Sequence, residues 1–103
     1  MLLEREIALA YDDFGAGQAR LLELAEAPPH YLKFDRRFVS GLEEAPLPKR
    51  KLLEALLRLA RELNVATVAE GVETVGEANA CGEIGFTHAQ GFAIGRPRAV
   101  DQI

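Results

Sequence analysis

Apolar residues in this chain come in short runs, separated by longer stretches with helical spacing. Ile7 to Tyr11 is one short run, and Tyr31-Leu32-Lys33-Phe34 is a second. Val65 to Ala69 is a third, rich in the β-branched residues that suit a pleated strand. Between the first two runs, Gln18 to Ala27 has a helical pattern, with Leu21, Leu22, Leu24 and Ala25 on one side and Pro28-Pro29 as its stop. Pro46 and Pro48 then precede a long amphipathic stretch, Lys49 to Leu63, with leucines at 52, 53, 56, 57, 59 and 63. Asn64 stops that helix. Thr74 to Glu83 reads as a weaker helix, interrupted by Gly76 and closed by Gly82 and Gly85. Thr87-His88-Ala89 and Phe92-Ala93-Ile94 bracket Gln90-Gly91 in a fourth strand region. The predicted order is βαβαβαβ. Short apolar strands alternating with helices imply an α/β fold with a parallel sheet and right-handed crossovers.

The polar residues fall at matching places in each unit. Asp12 and Asp13 end the first strand, Lys33 and Asp35 the second, and Glu70 the third, with Glu73 three residues on; Gln90 lies within the fourth. Ligands of parallel α/β folds bind at the carboxyl ends of the strands. Four consecutive strands delivering charged or amide groups to one edge therefore predict a site. Asp12, Asp13 and Glu70 make an oxygen-rich set suited to hard cations such as Mg²⁺, Mn²⁺ or Ca²⁺. A pair of such ions can activate water and clamp a phosphoryl displacement. Lys33 is placed to orient the attacking water or to neutralise developing negative charge.

Composition narrows the choice. At 103 residues with 49% hydrophobic content the chain is one domain or a piece of one. A formal net charge of −4 argues against binding a nucleic-acid polymer, which needs a basic face. The single cysteine, Cys81, forms no internal disulfide and is expected to pack as a small buried residue; a cytoplasmic setting fits. The N-terminus carries Glu4, Arg5 and Glu6 within its apolar stretch, unlike a signal peptide. No run reaches the ~18 apolar residues that would span a membrane.

Four segments in this order, "YDDFGAG", "YLKFDRRFVSGL", "VATVAEGVET" and "AQGFAIGRP", closely resemble the second half of the EAL domain, from about Ile7 to Pro97. The resemblance implies metal-dependent hydrolysis of the bacterial second messenger cyclic di-GMP to a linear dinucleotide, in signal transduction. It implies that Asp12 bridges two Mg²⁺ or Mn²⁺ ions, that Asp13 serves the second ion, and that Glu70 contacts metal and water. It gives Lys33 a contact with the catalytic water, makes Glu73 and Gln90 site-supporting or substrate-binding, and leaves Asp35 a structural part.

The chain also departs from the family. The one Glu-Ala-Leu tripeptide, Glu54-Ala55-Leu56, falls inside the amphipathic stretch Lys49 to Leu63 and not on a strand. The family's name-giving motif and the asparagine and glutamate of its early strands thus have no counterpart in residues 1–103, so the chain by itself is expected to be inactive. After the acidic pair the family usually continues T-G-Y-S-S or similar; here the loop reads Ala16-Gly17-Gln18-Ala19-Arg20. The EAL fold is a modified TIM-type barrel, and residues 1–103 correspond to its last four strands, a half barrel, with a final helix due near Ile103. Its edges would lie at the strands near Ile7 and Phe92, beside an exposed apolar wall such as residues 65–69. Such a chain is expected to form a homo-oligomer, for instance with the fourth strand of each copy beside the first strand of the other. The alternative function is a non-catalytic remnant that binds a protein or nucleotide. A receiver domain, which also uses an acidic pair, Mg²⁺ and a lysine, places its aspartate and lysine on other strands.

Overall fold

Parallel pairing in chain order organises the protein. The computed structural model describes residues 6–9, 22–91 and 95–100. Strand β1 (Glu6–Leu9) is followed by helical residues 22–26 (α1), β2 (Tyr31–Phe34), the short helix α2 (Arg36–Val39) and a 3-10 turn (Leu42–Glu44). Helix α3 (Leu47–Glu62), β3 (Ala66–Ala69), α4 (Val75–Ile84), β4 (His88–Gly91) and β5 (Gly95–Ala99) complete the order. The sheet runs β1-β2-β3-β4-β5; the first three pairings are parallel, and β5 returns antiparallel to β4. The first asparagine after α3, Asn64, adopts φ 59°, so the predicted stop is real.

Several expectations need correction. Pro48 lies inside the first turn of α3, not ahead of it. A first-turn residue has no intrahelical acceptor for its N–H, so proline costs nothing there. Gly82 lies within α4, and Gly85, at φ 121°, closes the helix. Leu22 and Ala25 point to solvent, whereas Leu24 is buried. Strand β5 was not expected at all: it carries Pro97, and its pairing with β4 depends on a chain reversal that periodicity does not report.

The register decides which face each residue takes. Ile7, Leu32, Phe34, Ala69 and Ala89 point to the helices and join the buried core with Leu53, Leu57, Ala60 and Val72. Phe34 is its centre, meeting Phe38 and Phe86 edge to face at 5.2 and 5.1 Å between ring centroids. Such pairs add about 0.5–1.5 kcal/mol each to the gain from burial. Glu6, Tyr31, Lys33, Val68, His88 and Gln90 share the opposite face. Tyr31 and His88, on the strands flanking β3, meet edge to face at 5.7 Å and so reach across it. The expected apolar wall at 65–69 is therefore not present: Val65 and Ala69 join the helix-side core, and Val68 on the other face is only 2% exposed. The outer edge of β4, expected to be open, is occupied by β5.

Candidate functional site at the carboxyl ends of the strands

Lys33 stands on the third residue of β2, on the face away from the helices. Its Nζ lies 3.6 Å from Glu70 Oε1 and 3.4 Å from Glu6 Oε2. Glu70 follows directly on β3, where its N–H continues the ladder by donating to Phe34 O at 2.9 Å. The predicted neighbours Lys33 and Glu70 are thus brought together.

The loop from Glu70 to Glu73 is held at almost every residue. The Val72 N–H donates to the backbone oxygen of Gln90 at 3.0 Å, which joins the loop to β4. The Glu73 carboxylate pairs with the Arg36 guanidinium, and the Glu73 N–H donates to Glu77 Oε1 at 2.8 Å. Gly71, at φ 75°, lets the loop pass the Arg36 side chain; a Cβ there would come within 2.8 Å of Arg36 Cβ. Gly91 is needed for contact, since a Cβ would collide with the backbone of Val72. Asp35 caps α2 by accepting the Arg37 N–H at 2.9 Å.

Gln90, on β4, keeps its side-chain oxygen buried without a hydrogen-bond partner among the described residues. A buried acceptor left unsatisfied is costly and calls for an explanation. Together with Glu70 it offers oxygen donors from adjacent strands, a donor type that suits a hard divalent cation. Asp12 and Asp13, with the rest of the "YDDFGAG" loop, lie outside the described residues. Among the described residues, no three His, Cys, Asp or Glu side chains cluster as a metal site.

Sequence reasoning missed three participants. In the sequence Glu6 bears only on the signal-peptide question, yet alternation in β1 places it on the face of Lys33. Arg36 gave no signal. Glu77 was legible, because Thr74-Val75-Gly76-Glu77 has the T-x-x-E pattern of a helix-starting capping box.

A profile of the EAL domain matches residues 1–97. This chain belongs to the EAL domain family. The probable cyclic di-GMP phosphodiesterase PdeN of Escherichia coli is 42% identical over 97 residues, covering 92% of this chain and 18% of PdeN. The bifunctional diguanylate cyclase/cyclic di-GMP phosphodiesterase MucR of Pseudomonas aeruginosa is 36% identical over 97 residues, covering 94% of this chain and 14% of MucR. The chain thus spans less than a fifth of these relatives.

Solved EAL structures share the fold. The PaMucR phosphodiesterase in complex with c-di-GMP superposes with a TM-score of 0.68 at 36% identity, over 94% of this chain and 38% of that one. Klebsiella pneumoniae BlrP1, in a complex with manganese and cyclic di-GMP, gives 0.68 at 31%, over 90% of this chain and 23% of that one. The parallel α/β sheet of this EAL chain is accordingly part of a TIM-type architecture. No helix among its described residues is long and apolar enough to cross a membrane.

Proposed function

We propose that residues 1–103 supply the carboxyl-terminal half of a metal-dependent site for cyclic di-GMP hydrolysis and are inactive by themselves. The observation that carries this reading is the Lys33–Glu70 juxtaposition, 3.6 Å apart at adjacent strand ends, in a chain of the EAL family. Asp12, Asp13 and Glu70 would hold Mg²⁺ or Mn²⁺. Such a cation, when bound, polarises a phosphodiester and acidifies bound water. Lys33 places a positive charge where negative charge develops on phosphoryl oxygens, and it orients the incoming water. Glu73 and Asp35 hold the loops on either side, and Gln90 faces the ligand. These residues have no counterpart of the family's early-strand ligands, because their one Glu-Ala-Leu, Glu54 to Leu56, lies within helix α3, and displacement with two metals needs both ions in place.

Two measurements test this reading. Incubation of the chain with cyclic di-GMP and Mg²⁺ or Mn²⁺, followed by chromatography, should show no linear product; turnover that Asp12→Asn abolishes would overturn the inactivity. Millimolar Mn²⁺ should raise the melting temperature, because an ion that binds only the folded state stabilises it. Asp12→Ala/Asp13→Ala should remove that shift. An unchanged melt in the parent chain, or an equal shift in the double variant, would overturn the metal site.

We also infer self-association. Among the described residues the outer edge of β1 is unpaired, and an open strand edge invites pairing with a second copy.

A further inference from the structure

Glu77 is the only buried charged residue among the described residues, at 9% exposure, and the hydrolytic reading gives it no part. It stands in the first turn of α4, where its own N–H donates to Thr74 Oγ1 at 3.0 Å. Its two carboxylate oxygens serve different segments. Oε1 accepts the Glu73 N–H at 2.8 Å, and Oε2 accepts the Gly41 N–H at 3.2 Å. Glu73 ends the loop that begins with Glu70. Gly41 lies in the turn between α2 and α3, within the connection that leaves β2 just after Lys33.

Capping α4 does not account for this geometry. A reciprocal capping box returns the carboxylate to the N–H of the capping residue, here Thr74. The Glu77 carboxylate instead reaches one residue further back and also across to a turn 36 positions away in the chain. Burying a carboxylate is expensive unless hydrogen bonds satisfy it. Both of these bonds come from the connections that carry the candidate site.

We propose that Glu77 is a positioning residue: its carboxylate latches the β2–α3 connection to the β3–α4 connection and so holds Glu70 in place beside Lys33. The inference rests on the metal role of Glu70 given above. Glutamine would keep the shape but offer a single acceptor, leaving one of the two N–H groups facing an amide NH₂.

The test uses the intact chain, with Mn²⁺ as the probe. Amide hydrogen exchange is followed by NMR, and Mn²⁺ binding by electron paramagnetic resonance. Glu77→Gln should speed exchange at Glu73 and Gly41, relative to the amides of β2, by about tenfold or more, and should weaken Mn²⁺ binding by a similar factor. Leu56→Ala, a half-buried position on α3, should lower the melting temperature yet leave both readouts unchanged. A Glu77→Gln protein that is less stable but binds Mn²⁺ as well as the parent would overturn the positioning role. Whether or not the variant folds, Glu73 and Gly41 in the parent chain must exchange more slowly than in an unstructured peptide. Free exchange there would overturn the latch. If the parent chain takes up no Mn²⁺, the metal reading falls, and the exchange rates alone decide the latch.

Discussion

Lys33 Nζ lies within 3.6 Å of Glu70 Oε1 and 3.4 Å of Glu6 Oε2, so one ammonium on β2 joins carboxylates from the strands on both sides. The three side chains are 24%, 36% and 51% exposed, in the order Lys33, Glu70, Glu6, so water screens the attraction. Lys33→Met is therefore expected to cost only about 0–1 kcal/mol, a drop of no more than about 8 °C in melting temperature. Half-molar salt should shrink the difference between variant and parent. A larger loss that salt does not change would show that Lys33 acts through packing.

Two glycine substitutions should differ in mechanism. Gly91→Ala drives a methyl group into the backbone of Val72, which no rotamer change relieves. Urea unfolding should show a loss of at least about 2 kcal/mol. Gly41→Ala meets nothing within 4 Å and suffers only from its φ of 65°. Its cost should stay at about 1–2 kcal/mol. Equal losses at the two positions would contradict the close approach of β4 to the loop after Glu70.

Cys81 is fully buried, and burial, followed by the nearby Glu77 carboxylate, pushes its thiol up to about 12 from 9.0. The folded state thus keeps a proton that the unfolded chain gives up at lower pH. The resulting stability is complete below about pH 9 and is lost as pH rises toward 12. Urea midpoints should fall over that range, and Cys81→Ala should flatten the fall. At pH 8 the thiol should react with a disulfide reagent only as fast as the protein opens. Immediate reaction would count against its burial.

Self-association is expected to show in light scattering at micromolar concentration as a species larger than 11.3 kDa. A sharply melting monomer would mean that the β1 edge is protected without a partner.

The strands and helices of this protein were legible because their causes are local. Tyr31–Phe34 is bounded by Pro28-Pro29 and Asp35, and the leucines of α3 repeat at helical spacing. The parallel order followed from short apolar runs with helices between them, and the site edge from the polar residues that end those runs. Other features were decided by residues distant in the chain. β5 exists only through its pairing with β4. Val68 is buried although it faces away from the helices; register sets it between Lys33 and His88, on the face where Tyr31 and His88 meet across β3. The bond from Glu77 to Gly41 spans 36 positions, which no periodicity encodes. Local spacing reports which face of its own element a residue takes. What then covers that face, and which backbone groups a buried carboxylate satisfies, is set by the packing of whole elements.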